Sequence, residues 1–162
     1  MTVHIVKLCV GVDSIEHLAR FQESRRAQFE ALGLPVEHVH RTRNRPRRDG
    51  EVLDGGSLYW IIKGFIRARQ AIIRLDHLHD DEGGKRCGFV LGPDLVRTEL
   101  YARRPHQGWR YLEAKDAAAG TSAGQRLGPG RSRWPAPRNG RRTACAWSAL
   151  ARYSRPEADQ SR

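Results

Sequence analysis

The sequence predicts an α+β fold over residues 1–117: a small β-barrel or strongly bent mixed sheet with an N-terminal amphipathic helix packed on it. Three observations carry this expectation. Apolar residues recur at helical spacing in one stretch near the N-terminus, and several later stretches show strand-length alternation between turn signals. From about residue 118 the composition changes to that of a basic, low-complexity tail, for which disorder is expected.

The elements follow in order. Residues 3–10 are apolar and β-rich, a first strand. Asp13 is placed to cap a helix, with Glu16 at the capping-box position. Ile15, Leu18, Phe21, Phe29 and Leu32 then mark its apolar stripe, and Gly33 and Pro35 mark its end. Residues 36–43 have strand character, and 45–50 form a basic loop. Asp54, Gly55 and Gly56 signal a turn. Residues 57–68 alternate, with Leu58, Trp60, Ile62, Ile66 and Ala68 on one face. They read as one long strand bent or bulged at Gly64, although Phe65, Ala68, Ile72 and Leu75 also fit a helix beginning there. Residues 72–91 read as a hairpin around Asp80–Gly84, and 95–101 as one more strand.

Charge and cysteine content narrow the class. The net charge is +11, but residues 1–120 hold 20 basic and 16 acidic residues, against 9 and 2 in residues 121–162. Most of the basicity is therefore outside the expected domain. Ala, Gly, Pro and Arg make up 24 of the last 42 residues. GC-rich codons encode these four, so a frame-shifted C-terminus stands beside an ordinary basic tail as its explanation. Cys9, Cys87 and Cys145 are too few and too scattered for a disulfide framework or a zinc site. No run reaches membrane-span length, and the N-terminal apolar run has no basic segment before it and is interrupted by His4 and Lys7, so it does not read as a secretory signal. The cytoplasm is the expected location.

Several short strings agree in order with one family: residues 5–11, 40–43, 54–64, 68–70, 95–98 and 107–112, the last reading Gln107-Gly108-Trp109-Arg110-Tyr111-Leu112. Over residues 1–117 the chain resembles the alphaproteobacterial family catalogued as domain of unknown function 1489. His106 departs from the aromatic residue expected there. The name implies no activity, cofactor or catalytic residue. The element order is also similar to the PUA-like architecture, a pseudo-barrel whose members often bind RNA; that implication is an analogy of fold.

Three constellations are candidates for function. Basic side chains interleave with aromatics: the arginines 41, 43, 45, 47 and 48; Lys63, Arg67 and Arg69; and Arg103, Arg104 and Arg110. Tyr59, Trp109 and Tyr111 are placed to stack on bases while the cations meet phosphates. On a single strand, Tyr59, Lys63, Arg67 and Arg69 would line one side. A solvated charged face over a core Trp109 and Tyr111 is the plain alternative. The pairs His38/His40 and His77/His79 have metal-ligand types but lack a third ligand at a known spacing. Cys9 with His40 and Asp54, or Lys63 with Glu99, would form a catalytic group only if the fold joins them. No metal or cofactor is expected. The expectation is an RNA-binding module using Arg41, Arg43, Tyr59, Lys63, Arg67, Arg69, Trp109 and Arg110. The alternative is a small enzyme or binder of an anionic small molecule, held by Arg69 and Arg110.

Overall fold

The chain reverses at Lys63 and Gly64, and this turn sets the layout of the sheet. In the computed structural model, which describes residues 1–120, the elements are β1 (Val3–Leu8), α1 (Ile15–Ala31), β2 (His38–Thr42), α2 (Asp49–Leu53), β3 (Ser57–Ile62), β4 (Phe65–His79), β5 (Lys85–Leu91), β6 (Val96–Ala102), β7 (Trp109–Glu113) and a 3-10 turn at Ala114–Asp116. The expectations for the tail beyond residue 120, disorder and frame shift alike, lie outside the described residues.

The expected single strand over 57–68 is corrected to a hairpin. Lys63 and Gly64 both have positive φ, 49° and 80°, between the paired Ile62 and Phe65. Two left-handed residues make the tight turn whose twist matches antiparallel strands, so Gly64 is a turn residue and not a bulge. Period-2 alternation survives such a two-residue turn, which is why the stretch reads as one strand. The helix alternative after Gly64 is also excluded, because residues 65–79 form the 15-residue β4.

β4 is the spine of the sheet. Its first half pairs with β3 on one side and β6 on the other, and its second half pairs with β5. Between β5 and β6, the Gly92 N–H donates to the Ala71 carbonyl, so the two strands follow β4 along one edge. The register slips by one residue near Trp60/Ile61, leaving Arg67 unmatched on β4, and again between Ile72 and Arg74. Bulges of this kind bend and twist a strand. The strand order is β2-β5-β4-β3-β1-β7, with β6 beside β4. The fold is therefore a mixed α/β domain with a seven-stranded sheet that is not closed into a barrel.

Two apolar clusters occupy the two faces of the sheet. Ile5, Trp60, Ile62, Ala68, Leu75, Phe89 and Leu91 lie in the larger, with Leu18 of α1. Val6, Tyr59, Ile61, Ile66 and Leu112 form the smaller, closed by Ala117 and Ala118. All six residues of β3 are buried, which accounts for its unbroken Leu58–Ile62 run. Order continues past residue 117, because the Glu99 N–H donates to Ala119 and Thr98 bridges Gly120.

Helix α1 begins one residue later than expected. Ser14, not Asp13, is the N-cap, and its Oγ accepts the His17 N–H at 3.1 Å. Ile15, Leu18 and Phe29 are buried, whereas Phe21 and Leu32 of the expected stripe are 41% and 62% exposed. Helical spacing gives the inward face two polar residues, Gln22 and Arg25, between Leu18 and Phe29. Gln22 exchanges two hydrogen bonds with Gln70, at 2.8 and 3.0 Å. Gln70 is fully buried; its Oε1 also accepts Trp60 Nε1–H at 3.0 Å, and its amide nitrogen donates to Gly92 O at 3.2 Å. Among the described residues no helix is long and apolar enough to cross a membrane.

Gly56 is wedged where α2 delivers the chain to β3. A Cβ there would stand 2.1 Å from Val52 O and 2.6 Å from Val3 O, both backbone atoms that cannot step aside. Gly56→Ala is expected to cost about 3 kcal/mol or more, beyond ordinary overpacking, because β1 or α2 must move. A lowered urea midpoint at unchanged m would show this; an unchanged midpoint would refute it.

Candidate nucleic-acid interface

Basic side chains line the open seam between the two ends of the sheet. The loop after β2, residues 43–48, crosses above β7 and is fastened there by aromatic side chains. Tyr111 Oη accepts the N–H groups of Arg47 and Arg48 at 2.8 and 3.1 Å, and Trp109 Nε1–H donates to Asn44 O at 3.1 Å. Arg48 grips Glu51 through two bonds of 2.8 and 2.6 Å, reaches Glu113 at 2.8 Å, and lies over the Tyr111 ring. Its pKa is raised, chiefly by the Glu51 and Glu113 bonds, while Arg48 in turn holds Glu51 below the usual carboxylate range. Arg45 bonds Leu75 O and Asp49 at 3.1 Å, which holds Asp49 low as well. These two arginines and Tyr111 build the loop.

What they leave outward is a different set. Arg43 and Arg47 are exposed, and across the seam so is Lys85; none pairs with a carboxylate among the described residues. Together with Asn44, His77, Arg86 and the half-buried Trp109, they border an open groove of about 660 Å³. Arg86 is answered by Asp80 at 2.7 Å. Trp109 is set edge-on to Phe89 and Tyr111, with centroids 6.2 and 5.1 Å apart. The groove can therefore receive an anionic chain and offers an indole beside it.

The structure divides the sequence-predicted residues. Arg43 and Trp109 stand in the groove. Arg41, on β2, donates to His79 O at 3.0 Å. Lys63 sits in the β3–β4 turn and pairs with Asp13 at 3.4 Å, not with Glu99. Arg67 donates to Ile62 O and covers the Phe65 ring. Tyr59 is only 3% exposed, packed in the smaller cluster edge-on to His4, so it has no free face for a base. The expected one-sided row of Tyr59, Lys63, Arg67 and Arg69 is thus not formed, because a turn and a bulge intervene.

Arg69 and Arg110 do share a face, in a row that runs Arg110, Val6, Tyr59, Arg69 across four paired strands. Three strand spacings of about 4.8 Å separate their backbones, and apolar residues fill the interval. They do not form the anion pocket expected of them. Arg110 bonds Gln107 O and Trp109 O, and Arg69 reaches Ser57 Oγ at 3.4 Å with its Nε shielded and unbonded. Sequence reasoning missed Lys85 and Arg86, and singled out His77 only as a metal-ligand type. The signal was available in the hairpin: a turn at Gly83 and Gly84 makes Lys85 and Arg86 open the returning strand opposite Leu78 and His79.

Neither catalytic grouping forms. Asp54 is exposed beside the N-terminal amine, while Cys9 is buried and its thiol is pushed up to about 12 by burial. Among the described residues no group of three metal-ligating side chains occurs. His40 faces the interior, edge-on to Trp60 at 5.2 Å, and its shielded Nε2 makes no hydrogen bond. Burial lowers its pKa to about 3, with Lys7 and Arg25 adding repulsion.

These features belong to a fold with a described family. The chain matches the family model for "Protein of unknown function (DUF1489)" over residues 5–132, and it belongs to that family. No curated protein and no solved structure matches it.

His40 makes stability acid-sensitive. Below pH 6.5 the unfolded chain binds a proton that the native imidazole, facing Lys7 and Arg25, refuses until about pH 3, so stability falls as pH falls. From pH 6.5 to 5 this amounts to at most about 2 kcal/mol, from 1.36 kcal/mol per unit. His40→Phe should flatten that part of a stability–pH curve, while an unchanged slope would assign it to other groups, such as His4 or His38.

Proposed function

We propose that this chain is a nucleic-acid-binding module that takes single-stranded RNA in the groove between the 43–48 loop and the start of β5. The observation that carries the reading is the set of exposed cations Arg43, Arg47 and Lys85, which converge on one aromatic side chain without acidic partners among the described residues. Single-stranded nucleic acid is bound by this combination: guanidinium and ammonium groups displace counterions from phosphates, and an indole stacks on a base of any sequence. Trp109 takes the stacking role and Tyr111 the role of holding the loop, because Arg48 already covers the tyrosine ring. The groove is open along its length, which suits a chain more than a small enclosed ligand. A strongly curled sheet with a helix against it is also the layout of the PUA-like proteins, and supports RNA by analogy of fold alone. Such a module would act in the cytoplasm.

The test separates this groove from the basic residues 121–162, because it uses the full chain throughout. Binding of a labelled single-stranded RNA, titrated across salt, is compared for the parent protein and for Arg43→Ala/Arg47→Ala/Lys85→Ala. The variant should bind at least tenfold more weakly, and its log K–log salt slope should shrink by about 2, since each phosphate contact on a single strand contributes about 0.7. Equal affinity and slope would show that the cations beyond residue 120 bind RNA and the groove does not.

A further inference from the structure

The side chains of the groove differ in what they can donate and accept, and this bears on which base it holds. Arg43, Arg47 and Lys85 are donors only, and they have no carboxylate partner among the described residues. Among the described residues no carboxylate lines the groove. The Asn44 carbonyl beside the indole is already taken by Trp109 Nε1–H at 3.1 Å. Tyr111 Oη is likewise filled, since it accepts the N–H groups of Arg47 and Arg48. The side-chain acceptors that remain are the Asn44 amide oxygen and one nitrogen of a neutral His77. A base seated here meets mainly donors, so the edge that fits it has adjacent acceptors.

The bases differ on this point. Guanine presents two adjacent acceptors, O6 and N7, whereas adenine presents N7 beside an amino donor. An arginine fork meets the guanine pair with two N–H bonds, while a lysine is a point charge without that geometry. Two arginines keep their forks free, and their places differ. Arg43 directly precedes Asn44, whose main chain is fastened to the edge of the Trp109 indole. Arg47 stands at the other fastening, where its N–H meets Tyr111 Oη at 2.8 Å and Arg48 covers the tyrosine ring. The fork beside the stacking platform is that of Arg43.

We infer that the groove selects guanine: the base stacks on Trp109, Arg43 bonds its O6 and N7, and Arg47 and Lys85 hold flanking phosphates. This rests on the groove being the RNA site and names the base that it reads. The rival reader is Asn44, which is exposed, and whose side-chain amide makes no hydrogen bond among the described residues. Its donor and acceptor match N6 and N7 of adenine. A neutral amide bonds less strongly than a guanidinium, however, and the surrounding cations attract the guanine oxygen while repelling the hydrogens of an amino group. The balance favours guanine.

The probes are single-stranded uridine oligomers of one length that carry a central guanosine, adenosine, inosine or 7-deazaguanosine, each bound by the full chain. Their phosphate charge is identical, so the ratio of affinities isolates the base. Guanosine should bind about tenfold more tightly than adenosine, toward the low end of what a bidentate base contact confers. Inosine keeps O6 and N7 and should match guanosine; 7-deazaguanosine lacks the N7 acceptor and should fall to the level of adenosine. Arg43→Lys keeps the charge without the fork and should abolish the preference, a ratio taken within one protein so that general weakening cancels. Equal affinity for guanosine and adenosine in the parent would overturn the inference. A preference for adenosine would also overturn it, as would a guanosine preference that survives Arg43→Lys or the loss of N7. The underlying reading fails separately. If Arg43→Ala/Arg47→Ala/Lys85→Ala binds the uridine oligomer as tightly as the parent, the groove is not the RNA site and both readings fall. If it binds more weakly while the parent treats the bases alike, only the selection of guanine falls.

Discussion

The fold is organised around one buried amide. Gln70 lies midway along β4 with no solvent exposure, and its oxygen and nitrogen together make four hydrogen bonds: two with Gln22 of α1, one with Trp60 of β3 and one with Gly92 beyond β5. An unbonded buried amide is costly, so each partner has to arrive for the core to close. The helix, the β3–β4 hairpin and the β5–β6 corner are therefore fixed relative to one another by a single side chain. Apolar packing fills the space around it but is not directional in the same way.

This anchoring explains how a sheet that is not closed can still hold a defined seam. With Trp60 and Gln70 fixed, β1 and β7 are carried on from β3, and β5 and β2 are carried on from β4. The two ends meet through side chains instead of a ladder. Tyr111 and Trp109 hold the backbone of the 43–48 loop, and Arg48 locks it to β7 through Glu113. A closed ladder there would use the backbone groups and fill the groove. Side-chain closure leaves Arg43, Arg47 and Lys85 free to face solvent.

What could be read from the sequence follows the range of the interactions involved. The helix, most strands and the hairpin at Asp80–Gly84 are local patterns of periodicity and turn chemistry, and they match the structure within a few residues. The Lys63–Gly64 turn was hidden because a two-residue turn preserves alternation, and lysine is not the residue that usually announces it. The family strings were legible and led to the right family, though they carry no chemistry. The groove was legible in part. Arg43 and Trp109 were visible as a basic run and an aromatic motif, but Lys85 and His77 join them only through the pairing of β4 with β5. Tyr59 looked like a surface aromatic on an alternating strand, and is buried because the sheet is covered on both faces.

The same reasoning separates the cations that build this protein from those available to ligands. Arg45, Arg48, Arg74 and Arg86 each meet carboxylates, and their charge is spent inside the fold. Arg43, Arg47 and Lys85 are unpaired but solvated, so they cost little to keep and are suited to a flexible polyanion whose phosphates arrive and leave with salt. Lys7 and Arg25 are partly withdrawn from water and meet no carboxylate among the described residues, so each costs more to hold charged than an exposed cation does. Burial and pairing, more than the number of basic residues, decide what each charge costs the fold.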